Sequence, residues 1–181
     1  MDKFQNKYRI PSTRLPNWDY SQAGLYFITI CTQNRLQYFG KIKNGIMNPS
    51  EIGKIVEREW LKTFDMRPDM NLWMGEFVVM PNHFHAIIGI GKNQYNAQCK
   101  DPMHCVSTKT NHFAPQSKNL ASIVRGFKSS VTFTARKIIQ DFSWQTRFYE
   151  HIIRNNKSFQ KISDYIINNP TNWQEDKWFD L

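Results

Sequence analysis

Two apolar, β-forming runs, residues 71 to 80 and 84 to 90, are separated mainly by the dipeptide Pro81-Asn82. So short a break can only join neighbouring antiparallel strands, because a parallel pair needs a crossover of a dozen or more residues. Both runs are dense in apolar residues, so they read as strands of the sheet core. Side chains two apart on a strand share a face, so His83 and His85 can present their imidazoles together while Phe84 points into the opposite layer. That pattern offers a two-nitrogen platform for a metal ion. Spacing alone leaves a structural role for the pair open, and two imidazoles do not complete a site.

The rest of the chain is read around this pair. Leu25 to Cys31 is a β-forming run, Leu36 to Phe39 a short run associated with it, and Asn44-Gly45 a two-residue hairpin signal between Lys41 and Met47. A helix is expected with Asn48 as its cap, Pro49 in the first helical position and Glu51 third, burying Ile52, Ile55, Val56 and Trp60 and ending near Asp65 to Pro68. From Ser117 the apolar residues Leu120, Ile123, Val124, Phe127, Val131, Ala135 and Ile138 recur at helical spacing. Lys118, Arg125, Lys128 and Arg136 fall largely off that stripe as a basic ridge, a pattern that also serves simply to solvate a helix. Residues 144 to 154 contain an alternating segment suited to a strand, and a last helix is expected over 158 to 168 with Phe159, Ile162 and Ile166 inward. The order strand, helix, two strands, helix, strand, helix predicts an α+β fold. It is a ferredoxin-like antiparallel sheet with helices on one face and an additional C-terminal helix. One domain is expected over residues 1 to 181. Residues 1 to 20 form an extended arm restricted by Pro11 and Pro16, and residues 91 to 117 a long excursion suited to a binding loop or a mobile segment.

Charge narrows the partners without naming one. The 24 Lys and Arg against 15 Asp and Glu leave a formal charge of +9, which favours a polyanion. No run approaches the roughly 20 apolar residues of a membrane span, and the N-terminus lacks a secretory apolar core, so a cytoplasmic, nucleoid-associated location and no membrane partner are expected. Cys31, Cys99 and Cys105 give no disulfide framework. The spacing of Cys99, His104, Cys105 and His112 matches no familiar zinc motif and reads as an ordinary loop.

Near the C-terminus, Tyr165 and Asn169 are four residues apart and so rise from one face of the last helix. If that face crosses the histidine strand, the Asn169 oxygen can join the imidazoles around a divalent ion such as Mg2+ or Mn2+ while Tyr165 points at a phosphate. Taken alone, the tyrosine also suits a core position and the asparagine a helix stop.

Three motifs in order are together specific: Val78-Val79-Met80-Pro81-Asn82-His83-Phe84-His85, the segment from Trp144 to Asn155, and Asp164-Tyr165 with Asn169-Pro170. On these residues the chain resembles the single-tyrosine transposases with a histidine, hydrophobic residue, histidine motif, and within them the branch associated with repetitive extragenic palindromes. The resemblance runs from about Tyr8 to Trp173. It implies a metal-dependent single-stranded DNA endonuclease and strand transferase with a 5′-phosphotyrosine intermediate. His83, His85 and Asn169 would be the metal ligands and Tyr165 the nucleophile, Tyr149 being a competing phenol. The implied partner is single-stranded DNA carrying a hairpin or palindromic repeat. A monomer acting in cis is favoured over a dimer. Candidate DNA contacts are Arg14 and Trp18 in the arm, Arg125, Lys128 and Arg136 on the second helix, and Tyr149 and His151. The competing readings are a catalytically inactive protein that binds structured DNA and an RNA-binding ferredoxin-like module; the latter lacks a clear pair of solvent-facing aromatics on the central strands.

Overall fold

Strand β3 (Gly24–Cys31) carries the sheet: it pairs antiparallel with β7 (His83–Ile90) on one side and β8 (Tyr149–Ile153) on the other, and β6 (Leu72–Val79) completes the order β6-β7-β3-β8. The coordinates are a computed structural model describing residues 18–97 and 117–176, with the backbone of residues 3–4 and 7–8. In the latter, β1 (Lys3–Phe4) pairs with β2 (Lys7–Tyr8). Helices α1 (Glu51–Asp65) and α2 (Leu120–Ala135) connect the strands pairwise, and α3 (Asn156–Asn168) follows the last strand. This is the ferredoxin-like α+β arrangement expected from the element order.

The period of two along the strands divides the core. Tyr26, Ile28 and Ile30 of β3 and Phe84, Ala86, Ile88 and Ile90 of β7 join Ile52, Val56 and Trp60 of α1 and Ile123, Val124 and Phe127 of α2 in one buried cluster. Within it the Trp60 ring meets Phe84 at 5.1 Å and Phe127 at 5.3 Å, both near edge-to-face. Such pairs add about 0.5–1.5 kcal/mol each beyond burial of their area. The alternate residues Phe27 and Ile87 pack with Ile153 and with Ile166 of α3 in a second, smaller cluster on the other face.

Several local expectations shift. Ser50, not Asn48, caps α1: its Oγ accepts from Gly53 N, while Asn48 and Pro49 are drawn into β5 (Ile46–Pro49), which pairs with β4 (Gly40–Lys43). The hairpin between them turns at Asn44 and Gly45, both at positive φ (53° and 72°), the conformation that favours this dipeptide in a two-residue loop. Leu36 to Phe39 form no strand; Phe39 is instead fully buried, its N–H donating to Pro81 O. Helix α2 ends at Ala135, so Ile138 leaves the apolar stripe and stands 54% exposed. Helix α3 begins two residues earlier than expected, because the Asn155 side chain accepts from Ser158 N. Most of the arm, including Arg14, most of the 91 to 117 excursion, and the Cys99 to His112 segment lie outside the described residues. No described helix is long and apolar enough to cross a membrane.

Candidate metal and tyrosine site

On the α3 face of β7, His83 and His85 are fully buried with ring centroids 4.4 Å apart, and Phe84 lies on the other side of the sheet. Each imidazole is held through Nδ1. His83 Nδ1 lies 2.8 Å from Asn82 Oδ1, an amide oxygen that can only accept, so the proton sits on Nδ1 and Nε2 keeps its lone pair. His85 Nδ1 lies 2.8 Å from Thr29 Oγ1, whose hydroxyl can accept the same proton, and its Nε2 lies 3.2 Å from the Tyr165 hydroxyl. The turn that presents His83 is itself clamped. Met80 N donates to His83 O, and Asn82 O accepts from Thr32 N and Thr32 Oγ1.

Tyr165 reaches the pair from the third turn of α3. Its hydroxyl donates to Asp176 Oδ2 at 2.9 Å, and its ring stands edge-on to Phe27 at 6.1 Å and 84°. The residue is 38% exposed, so part of it faces solvent. Burial above all, and then the Asp176 carboxylate, push the phenol well above its ordinary pKa. Both components of the expected constellation therefore meet within a single chain. Asn169 is buried one turn on, as its spacing requires, but its amide nitrogen donates to Asp176 Oδ2. Its Oδ1 is buried with no hydrogen-bond partner among the described residues.

Asp176 is the residue that sequence reasoning missed. Past α3 the chain turns, a short 3-10 helix (Trp173–Glu175) buries Trp173 with its ring 5.8 Å from that of His83, and Asp176 follows into the site. The ligand atoms of His83, His85 and Asp176 all lie within 4.8 Å of one another. Two imidazoles and a carboxylate match the nitrogen and oxygen donors that hold a divalent cation, so the side chains present fit such an ion. The only advance signal was acidic composition in the Glu175-Asp176 pair, which no periodicity placed.

The expected DNA contacts divide between the two faces. Tyr149 and His151, paired with Thr29 and Phe27 on the edge strand β8, lie on the site face. Tyr149 also meets Phe27 edge-on at 6.3 Å. Helix α2, with Arg125, Lys128 and Arg136, lies behind the sheet. Lys128 Nζ donates to Gln145 O at 2.6 Å and Arg136 Nε to Phe142 O at 3.1 Å, so both hold the connection leading to β8, while Arg125 is exposed. Lys118 is engaged by Asp69. Trp18 packs against the helix-side core with its Nε1 donating to the Tyr26 hydroxyl at 3.3 Å.

No family model matches the chain. A Haemophilus influenzae protein named "Uncharacterized protein" is 40% identical over 172 residues, covering 93% of this chain and 92% of its own. A second protein of that organism, "Putative REP-associated tyrosine transposase", is 25% identical over 153 residues, covering 84% of this chain and 73% of its own. Among solved structures, a REP-associated tyrosine transposase bound to a REP hairpin superposes with a TM-score of 0.56 at 21% identity, covering 94% of this chain and 76% of that one. The chain thus belongs to one family with the first of these Haemophilus influenzae proteins, and it carries the fold of a REP-associated tyrosine transposase.

Proposed function

We propose that the chain is a divalent-metal-dependent endonuclease and strand transferase acting on single-stranded DNA, with Tyr165 as its nucleophile. The observation that carries this reading is the Tyr165 hydroxyl, poised between His85 Nε2 and Asp176 Oδ2 at the edge of a three-residue donor cluster. His83, His85 and Asp176 would hold Mg2+ or Mn2+. Asn169 braces Asp176 through its amide nitrogen and retains an oxygen with which to complete the donor set. When bound, the cation supplies positive charge that polarises a phosphoryl oxygen and orients the scissile group.

The side chains then divide the remaining work. Tyr165 Oη attacks phosphorus in line, forming the Tyr–O–P bond as the P–O3′ bond breaks. The departing O3′ oxygen takes a proton from solvent to become a 3′ hydroxyl, and the phenolic proton passes to Asp176 Oδ2, its hydrogen-bond acceptor. Burial and the Asp176 carboxylate raise the phenol's pKa, so its proton must leave as the Tyr–O–P bond forms. Asn82 selects the tautomer of His83, and Thr29 orients the His85 ring. Because the 5′-phosphotyrosine retains the phosphodiester's chemistry, a second 3′ hydroxyl can attack it and release Tyr165, rejoining DNA without ATP. The fold shared with a protein bound to a REP hairpin, together with the net charge, supports hairpin-bearing or palindromic DNA as the substrate. Meeting of Tyr165 and the histidines within one chain supports a monomer acting in cis.

The test is a denaturation-resistant protein–DNA adduct on labelled hairpin-bearing single-stranded DNA with Mn2+ or Mg2+. Wild type forms it and Tyr165→Phe does not. An adduct that survives in Tyr165→Phe and disappears in Tyr149→Phe would move the nucleophile to β8. Retained hairpin binding with no adduct from wild type would leave a protein that binds structured DNA without cutting it.

A further inference from the structure

Beyond the tyrosine site, the same face of the sheet opens into a cavity of about 480 Å³ at the beginning of α3. Trp73, Phe159 and Leu25 supply apolar walls, and Arg154, Asn155 and Asn156 lie at its rim. Trp73 of β6 sits opposite Gly89 of β7, four positions along the strand from His85, a distance of roughly 13 Å at ~3.3 Å per residue. Two glycines make room for its indole. A Cβ on Gly75 would come 3.0 Å from Trp73 Cζ3 and 2.9 Å from Ile87, and one on Gly89 would come 3.2 Å from Trp73 Cβ and 3.0 Å from Leu25 Cδ2. The indole thus rests against a sheet surface stripped of side chains at two points, yet remains 47% exposed, with the Phe159 ring 6.0 Å away.

We propose that this cavity receives an unpaired nucleobase of the DNA strand presented to Tyr165, stacked on Trp73, with an adjoining phosphate at Arg154; the assignment rests on the strand-transfer reading above. An aromatic face accepts any base, since every base has a π-face, and this suits a single strand better than a duplex, whose bases are already stacked. Charge agrees with such an occupant. The lining contains the exposed cation Arg154 and no acidic side chain, and the positive end of the 13-residue helix α3 opens beside it. The cavity and the tyrosine site share a sheet face, with α3 running from one towards the other, so one short strand can occupy both.

The experiment measures binding of the full chain to a fluorescent twelve-nucleotide oligo(dT) and to an abasic oligomer of equal length, in the Tyr165→Phe background so that no chemistry intervenes. Trp73→Ala should weaken oligo(dT) binding on the order of 10-fold and leave the abasic oligomer unaffected, Trp73→Phe should retain most of the affinity, and Arg154→Ala should weaken both oligomers alike. Irradiation of the Tyr165→Phe protein, with Trp73 intact, in the presence of a bromouracil-substituted oligomer should crosslink Trp73 or Phe159, which reads the contact without disturbing the fold around Trp73. Equal losses on both oligomers in Trp73→Ala, no loss on either, or crosslinks confined to other elements would overturn the assignment. Absence of the covalent adduct in wild type, with base-dependent binding at Trp73 intact, would instead remove only the strand-transfer reading.

Discussion

All eight residues of β7 are buried, but its two faces are dry for different reasons. Towards α1 and α2 the strand offers Phe84, Ala86, Ile88 and Ile90 to an extensive apolar cluster. Towards α3 it offers His83 and His85, three of whose four ring nitrogens lie within hydrogen-bonding distance of Asn82, Thr29 and Tyr165. Dispersion and area burial, spread over many partners, stabilise the first face. The second has a small apolar patch of Phe27, Ile87, Ile153 and Ile166 beside a cluster of groups able to bind a cation. One face is thus built for stability and the other holds a donor cluster able to bind a cation, so substitutions on the two should fail in different assays.

The sharpest contrast comes from Tyr165→Phe. It should reduce covalent adduct to background in denaturing gels while the thermal midpoint stays within a few degrees of wild type. Trp60→Ala, on the helix face, should cost about 3–5 kcal/mol in urea unfolding, because it removes a fully buried ring and leaves a void. If the two faces are as separate as described, whatever fraction of that variant remains folded should still form adduct, and loss of adduct at unchanged stability would break the comparison. His83→Ala should fold in the absence of metal but lose the stabilisation that Mn2+ gives wild type, about 2.7 kcal/mol at 100 times the dissociation constant, read as a shift in melting temperature. The last effect concerns Tyr26, whose phenol burial pushes up to about 12. Its folded-state pKa lies above the unfolded value of 10.0, so the stability it contributes is present below pH 10 and is lost as pH rises towards 12. The difference in urea midpoint between wild type and Tyr26→Phe should change in that window and stay flat below it.

Much of this division was legible in advance where it rests on short-range periodicity. The alternation at His83, Phe84 and His85 assigned the two faces of β7, and the four-residue spacing of Tyr165 and Asn169 put them on one side of α3. The element order yielded the sheet topology, since ferredoxin-like connections leave few alternatives. What escaped depends on where distant segments come to rest. Asp176 follows an irregular turn after Pro170 and is placed by burial of Trp173, a tertiary event with no local pattern. The basic residues of α2 were correctly read as lying off its apolar stripe. Periodicity could not show that the sheet would stand between that helix and the histidines, nor that Lys128 and Arg136 would be engaged by backbone carbonyls. Ser50 displaced Asn48 as the cap because pairing of Gly40 with Pro49 extended the hairpin by two residues beyond its apparent end.

The strict alternation of β7 also makes its alignment with β3 an all-or-nothing matter. Sliding the strand by one position would thrust Phe84 into the cation cluster and strand two imidazoles among Trp60 and Phe127. Such a molecule would forfeit its hydrophobic interior and its cluster of metal-donor side chains in the same step. Folding errors in this strand should therefore yield unstable chains without the donor cluster, not compact ones that keep it.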